Sequence, residues 1–286
     1  MTQPVLVGTV GGERGRLEDQ RAYGSFGIAH ALEQIEGDYG VTVRVKPKTL
    51  FKFGQTNNAD SGVKTTVATF QGAVVNETYA TGNDIDSIVS DDNGDTEEIV
   101  VEGHTLSGSD LTFVSQTVTL TGQTIASLTT PLYRATRAYN NGSSELAGNV
   151  YIFDNDNGAS SGTPNTATET KLVIPAGLQQ SEKCATALSQ YDYWIITQVY
   201  CAVAGTTAAD VDIQLEVREF GKVFRSLFET TVRSTGQSAI AVNLDPPIIA
   251  PANSDVRLRA TSDTANTTVD GWINGYLALD QDSPDA

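Results

Sequence analysis

The segment from Val211 to Phe220, VDIQLEVREF, most constrains the fold of this chain. Its odd-numbered positions from Val211 to Val217 are apolar, and its even-numbered positions from Asp212 to Arg218 are polar. A period of two is typical of a β-strand with one face in a core and the other in solvent. Similar segments follow along the chain, without helical segments between them that could serve as crossovers. The strands are therefore expected to pair in antiparallel fashion.

Helical periodicity is clear only over residues 25–37, where Ile28, Leu32 and Ile35 recur at helical spacing and Gly37 would end the helix. The sequence predicts an all-β protein with two antiparallel β-sandwich or jelly-roll-like domains, preceded by an extended N-terminal arm with one short helix. We place the arm and helix at residues 1–54, the first β domain at 55–170, the second at 171–280 and an acidic tail at 281–286. Residues 154–170 lack a hydrophobic pattern, which indicates a long loop or an interdomain connection.

The formal net charge is −17 at pH 7, and a surface of this sign repels nucleic acid and anionic membranes. We therefore expect neither as a partner, and no segment approaches the ~20 apolar residues of a membrane span. Residues 1–54 carry seven Lys or Arg and six Asp or Glu, whereas the rest of the chain carries eleven and twenty-nine. The arm could dock on an acidic partner, or the charge of the body could serve solubility alone.

Histidine chemistry has little basis in this sequence. His30 and His104 are the two histidines, and neither stands at metal-binding spacing from another histidine or a cysteine. The sequence also lacks the GxSxG nucleophile motif, a phosphate-binding loop and a dinucleotide fingerprint. We therefore expect a protein that is not an enzyme, with no cofactor and no catalytic or metal-binding residues.

Acidic clusters at residues 84–95 and 154–156 leave one alternative open, a structural calcium ion. Neither cluster has glycine at the sixth position of the calcium loop, so solvated turns are the favoured interpretation. Cys184 and Cys201 both fall in predicted strands. A disulfide between them is possible, but a chain of this length does not need it.

Aromatic residues recur at positions 191, 193 and 194, and again at Trp272 and Tyr276. Such rings could stack on sugars, or they could belong to a core or a subunit interface. Trp194 and Tyr200 share parity with Ile196, so a regular strand would place all three on one buried face. This favours the core or interface interpretation.

Several short segments, in this order, carry a resemblance to a known group of proteins. They are Phe51–Gln55 (FKFGQ), Glu98–Glu102 (EIVVE), Val118–Gly122 (VTLTG), Arg134–Tyr139 (RATRAY) with Gly148–Ile152 (GNVYI), Val173–Gly177 (VIPAG), Val217–Arg225 (VREFGKVFR) and Ser254–Leu258 (SDVRL). In this order the chain resembles β-rich virion structural proteins of tailed phages, especially phages of marine bacteria and cyanobacteria. The segment QYDYWII, which follows IPAG, departs from the group's usual run of aromatic and small residues.

The resemblance implies a β-rich protein attached to a capsid or tail, often oligomeric, with no catalytic residue. The favoured hypothesis is a head decoration, or cement, protein that is assembled in the host bacterial cytoplasm and binds the major capsid protein or other virion proteins, with a homotrimer as the favoured oligomer. One alternative is a tail or neck appendage that binds a host surface glycan through Trp272 and Tyr276, and another is a β-rich polysaccharide hydrolase. The candidate capsid-docking residues all lie in the N-terminal segment and are Arg14, Arg16, Arg21, Ile28, Leu32 and Ile35.

Overall fold

A computed structural model describes residues 20–71, 77–205 and 208–280, with the backbone alone for residues 20–26, 45–48 and 58. It confirms an all-β fold of sandwich type with one α-helix near the N-terminus of the described part, α1 (Gln20–Tyr39). The first strands are β1 (Val43–Ala59), β2 (Thr65–Thr66), β3 (Ile85–Ser90), β4 (Glu98–Ser107), β5 (Asp110–Thr119), β6 (Ala126–Leu132), β7 (Arg134–Asn140), β8 (Val150–Asp154) and β9 (Ala159–Ser160). The others are β10 (Thr163–Pro164), β11 (Thr170–Ile174), β12 (Ala185–Ala187), β13 (Asp192–Ala204), β14 (Ala209–Glu219), β15 (Arg225–Ser234), β16 (Gln237–Ala250), β17 (Ser254–Ser262) and β18 (Thr267–Asp280). A 3-10 turn covers Ala167–Glu169.

One sandwich is built from residues 85–174. Its two sheets have the strand orders β11-β8-β3-β6 and β5-β4-β7, and every pairing in them is antiparallel. Ile88 of β3, Ile99 of β4 and Ile152 of β8 are among the fully buried side chains of its core. Successive side chains of a strand point to opposite faces, so Ile152 enters this core while Tyr151 and Phe153 pack in a second cluster on the other side of the sheet.

The other sandwich pairs a sheet of order β1-β18-β13-β16, here called the aromatic sheet, with one of order β12-β17-β14-β15, to which β2 adds through β17. Its core holds Val211, Ile213 and Leu215 of the alternating segment, all fully buried. Cys184 and Cys201 lie in the same core as free thiols. This sandwich takes β1 and β2 from one side of the chain and β12–β18 from the other, so residues 85–174 are inserted within it.

The strand pairing divides the chain differently from the predicted boundaries. The boundary at residue 54 falls within β1, which pairs with β18 from Val43 to Ala59 instead of belonging to an extended arm. The boundary at residue 170 falls at the first residue of β11, which completes the sheet of the inserted sandwich. Residues 155–169 accordingly connect β8 to β11 in one sheet, with the short β9–β10 hairpin and the 3-10 turn between them, and are not an interdomain connection. Period-two patterns mark strands but not their partners, and this explains the difference.

The predicted helix is present and is longer than residues 25–37. It continues through Gly37 and ends before Gly40, whose φ of 66° and backbone N–H bond to the Glu36 carbonyl (3.0 Å) are typical of a glycine C-cap. Gly37 does not end it because a helix interior accepts glycine at a cost of about 1 kcal/mol.

Backbone and side-chain hydrogen bonds join the two sandwiches. Lys52 Nζ of β1 donates to the carbonyl of Thr136 (2.8 Å), and the Leu111 N–H donates to Asn253 Oδ1 (2.9 Å). Arg134 Nε of β7 donates to Asp255 Oδ1 of β17 (2.9 Å). These buried contacts connect β1, β5, β7 and β17 across the junction.

Candidate functional site

The outer face of the aromatic sheet, which points away from the sandwich core, is divided into two parts. The first part is covered by α1. Ile35 has 0% exposure and packs with Tyr193 and Ile195 of β13, and Val43 of β1 and Ala278 of β18 belong to the same buried cluster. Ile28 and Leu32 pack against this cluster as partly buried side chains.

This placement bears directly on the residues that we predicted to dock on a capsid. Ile28, Leu32 and Ile35 are used within the chain, because helices in proteins are stabilised mostly by packing an apolar face and the sheet supplies the surface. Arg14 and Arg16 lie outside the described residues. Arg21 lies in α1, where the structure gives its backbone only.

The second part of the outer face carries a cluster of four aromatic side chains, here called the aromatic row: Phe51, Phe53, Tyr200 and Trp272. The Trp272 ring lies 5.2 Å from the Tyr200 ring, nearly parallel to it at 10°, and 5.7 Å from the Phe51 ring. Phe51 and Phe53 stack at 5.9 Å. Phe51 is 49% exposed, and the other three are partly buried. The row therefore forms an accessible apolar surface three strands wide.

A β-bulge explains why Tyr200 belongs to this surface. Trp194 and Ile196 lie in the core as predicted, but the pairing register shifts between Ile196 and Gln198, with Thr197 as the extra residue. One extra residue reverses the facing of every residue that follows it. The prediction that Tyr200 shares the buried face of Trp194 was therefore wrong. The alternation of aromatic and other residues in FKFG could have predicted that Phe51 and Phe53 lie on the same face of a strand. The sequence analysis did not make this prediction.

Polar side chains border the aromatic row at both ends. Gln55 Nε2 donates to Asp270 Oδ1 (2.6 Å) on one side, and Gln198 Nε2 donates to Asn243 Oδ1 (2.9 Å) on the other. Tyr276 lies four residues after Trp272 in β18, and this even spacing places both side chains on the outer face. Tyr276 pairs with Thr49 of β1. Trp272 and Tyr276, the predicted glycan-stacking residues, are thus on one face, with Trp272 in the row itself.

Buried ionic groups elsewhere have structural partners. Asp255 accepts hydrogen bonds from both Arg134 and Arg218, and the guanidinium groups of these two arginines lie 4.6 and 4.3 Å from the Tyr79 ring centre. Burial opposes the charge of Arg134, yet the Asp255 carboxylate raises the pKa of Arg134 overall. Glu216 likewise accepts from Arg257 Nε (2.8 Å). These groups stabilise the junction and its neighbourhood, and they are enclosed by protein.

The acidic loops do not assemble a cation site. Across residues 20–71, 77–205 and 208–280, no group of three or more His, Cys, Asp or Glu side chains is arranged to hold a metal ion. Asp91 and Asp95 instead accept backbone N–H bonds from Asn149 (2.7 Å) and Ala147 (2.9 Å), and so hold one loop against another. Within the same ranges, no helix combines the length and the hydropathy that a membrane span requires.

No family model and no curated protein matches the chain. Among solved structures, the carbohydrate-binding module TmCBM61 in complex with β-1,4-galactotriose is 12% identical, covers 40% of this chain and 72% of its own, and has a TM-score of 0.18. A chain of the broad bean stain virus structure is 11% identical, and the match covers 74% of this chain and 92% of the viral chain with a TM-score of 0.21. A chain of the infectious bursal disease virus structure (Gt strain) is 9% identical, and the match covers 85% of this chain and 75% of the viral chain with a TM-score of 0.22. At these identities and TM-scores the matches carry no argument about function.

Proposed function

We propose that this chain is a non-enzymatic structural protein of a tailed-phage virion, a head decoration protein that binds the shell of the major capsid protein. The observation that carries the proposal is the aromatic row. Aromatic rings that lie together on one sheet face and remain partly exposed to water are typical of protein interfaces. The resemblance of the chain to β-rich virion proteins supplies the class of partner.

The proposed docking surface is therefore the aromatic row, supplemented by the basic residues of the N-terminal segment. Ile28, Leu32 and Ile35 act indirectly, because they hold α1 on the adjoining part of the same sheet face. Arg14, Arg16 and Arg21 remain candidates for contacts with acidic groups of the shell, since each adds a positive charge to a chain of net charge −17.

The direct test is binding of the purified protein to shells that lack it. Phe51→Ser and Trp272→Ser should each weaken shell binding about 30-fold, which corresponds to the roughly 2 kcal/mol of an aromatic hot spot. Leu178→Ser is the matched control, because Leu178 is also 49% exposed and lies in a loop outside the sheet. Full occupancy by the Phe51 and Trp272 variants would show that the row is not the docking surface.

Two deletions separate the N-terminal contributions. Removal of residues 1–19 takes away Arg14 and Arg16 but leaves α1, and we expect lower shell occupancy with an intact fold. Removal of residues 1–40 also exposes Val43, Ile195 and Ala278, so its loss of binding would be confounded by lost stability. If the shorter deletion decorates shells fully, Arg14 and Arg16 are not needed for docking.

A glycan-binding appendage is the second candidate, and the near-parallel pair of Tyr200 and Trp272 beside the Gln198–Asn243 amides favours it. Aromatic faces stack on the apolar faces of sugars while amides bond to hydroxyl groups. Selective binding on a glycan array that is lost in Trp272→Ala and Tyr276→Ala, but kept in Leu178→Ser, would favour this function over shell binding.

A further inference from the structure

A cavity of about 300 Å³ lies at the junction of the two sandwiches, on the opposite side of β1 from the aromatic row. Residues of β1, β4, β5, β7, β12, β13 and β18 line it. Most of its wall is apolar, and Phe113, half exposed, stands among the lining residues together with the exposed Thr112. The apolar wall is formed by Leu50, Leu111, Phe113, Leu188, Leu277 and Leu279.

Lys52 points its ammonium group into this junction. The residue is 8% exposed, and Nζ donates one hydrogen bond, to the carbonyl of Thr136. An ammonium group has three N–H donors, and no carboxylate of the described residues forms an ion pair with this one. Burial, and secondarily the nearby Lys183 ammonium, lowers the pKa of Lys52 to about 7. The cavity therefore contains an amino group whose hydration is poorly replaced when it is protonated.

His104 is the second polar group in the wall. It is 4% exposed, its ring stands edge-on to Phe113 at 5.7 Å, and Nδ1 has no hydrogen-bond partner among the described residues. A buried polar atom without a partner is destabilising, so a group that fills the cavity and bonds to this atom would be stabilised. Burial, with the charge of Lys52 as the next cause, lowers the pKa of His104 to about 4. The ring is neutral at pH 7 and can donate from Nδ1 in one tautomer.

The two carboxylates in the wall are already engaged. Glu102 forms an ion pair with Arg137 (3.6 Å), and Asp192 accepts a hydrogen bond from the Ser189 hydroxyl. Glu102 also attracts the Lys52 ammonium, but the repulsion from Lys183 is the larger influence, so Lys52 lacks a compensating negative charge. An apolar wall with a single cationic end matches a ligand with an apolar body and an anionic end.

We propose that this cavity binds a small amphiphilic carboxylate, whose head accepts hydrogen bonds from Lys52 Nζ and His104 Nδ1 while its hydrocarbon chain packs on the leucines. The cavity volume lies at the lower end of the range for small-molecule binding sites, which is roughly 300–1,000 Å³. The ligand is therefore limited to a short hydrocarbon chain. A ligand in this position would contact both sandwiches and stabilise their junction. The site stands independently of the proposed docking surface.

Calorimetric titration of the full chain with hexanoate, hexan-1-ol and hexylamine tests the proposal without any mutation. At pH 6 we expect saturable binding of hexanoate, at least tenfold weaker binding of hexan-1-ol and none of hexylamine. Between pH 6 and pH 8 hexanoate affinity should fall about tenfold, as the protonated fraction of Lys52 falls. The charged or titratable groups that act on Lys52 are Lys183, Glu102, Arg137 and Cys184.

Lys52→Met should abolish the preference for the acid over the alcohol, because it keeps the apolar stem and removes the charge. Lys222→Met is the control, since Lys222 is exposed in the turn between β14 and β15. Equal affinity of the wild-type chain for hexanoate and hexan-1-ol would overturn the proposal even if Lys52→Met did not fold. So would the absence of saturable hexanoate binding at millimolar concentration, or unchanged hexanoate binding by a folded Lys52→Met variant.

Discussion

At the scale of single residues, charge is buried mainly where the two sandwiches meet. Arg134 and Asp255 are both almost fully buried and come from different sandwiches, and Arg218 approaches the same carboxylate. Buried ions are tolerated when a partner and hydrogen bonds replace lost hydration, and removal of one partner leaves the other uncompensated. Asp255 compensates two guanidinium groups, so its charge matters more than that of either arginine.

Asp255→Asn should therefore lower the free energy of unfolding by about 3–5 kcal/mol, as measured by urea unfolding. Glu219→Gln provides the comparison, because its ion pair with Arg225 (2.8 Å) is solvent-accessible and should contribute less than about 1 kcal/mol. Similar effects of the two substitutions would contradict the assigned role of Asp255.

The buried ammonium of Lys52 predicts a pH dependence of stability. Its pKa is about 7 in the folded chain and near 10.5 when unfolded, so between these values the unfolded chain binds more protons. Stability should rise by about 2 kcal/mol from pH 7 to pH 9 on this account, with Lys171 acting in the same direction. Urea unfolding of Lys52→Met should show a smaller rise, and an undiminished rise would contradict this assignment. Above pH 9 the buried thiol of Cys201, whose pKa is raised by burial to about 12, opposes the trend.

At the scale of elements, the sequence predicts most of what was found and fails in specific places. Alternation identifies the β14 strand correctly, and helical spacing identifies α1. The side of the sheet on which Tyr200 lies could not be predicted, because residues 193–196 are apolar at every position and so hide the change of parity at the Thr197 bulge. The aromatic row was missed for a related reason, since its members come from β1, β13 and β18 and meet only through strand pairing.

Ile35→Ala should destabilise the protein by about 2–4 kcal/mol, because it removes apolar volume from a fully buried site between α1 and the sheet. Glu33→Ala, on the exposed side of the helix, should change stability little. Hydrogen exchange of α1 is the more specific measurement. Faster exchange in α1 of Ile35→Ala than of Glu33→Ala is expected, and equal protection would show that the helix does not depend on this contact.

At the scale of the whole molecule, one sandwich is inserted into the other, and no local sequence pattern predicts this insertion. Strand β1 is separated by more than 200 residues from its partner β18, so their pairing closes a long loop around the inserted sandwich. The contacts of Lys52 with Thr136 and of Leu111 with Asn253 tie the two units together on more than one side. The cavity exists only because of this junction, which explains why its residues did not stand out in the sequence.

We expect the two sandwiches to unfold together. Calorimetry should show one transition for the wild-type chain, with equal calorimetric and van't Hoff enthalpies, since the buried contacts at the junction couple the units. Asp255→Asn should broaden or split this transition. Two well-separated transitions in the wild-type chain would mean that the junction contributes little.

Imaging of the virion that contains this chain, by cryo-electron microscopy with the position of the protein identified, tests the structural role most directly. We expect density for two sandwiches on the capsid shell, with Phe51 and Trp272 turned toward the shell subunits. Density at a tail tip with the aromatic row facing outward, or the absence of the protein from purified particles, would contradict it.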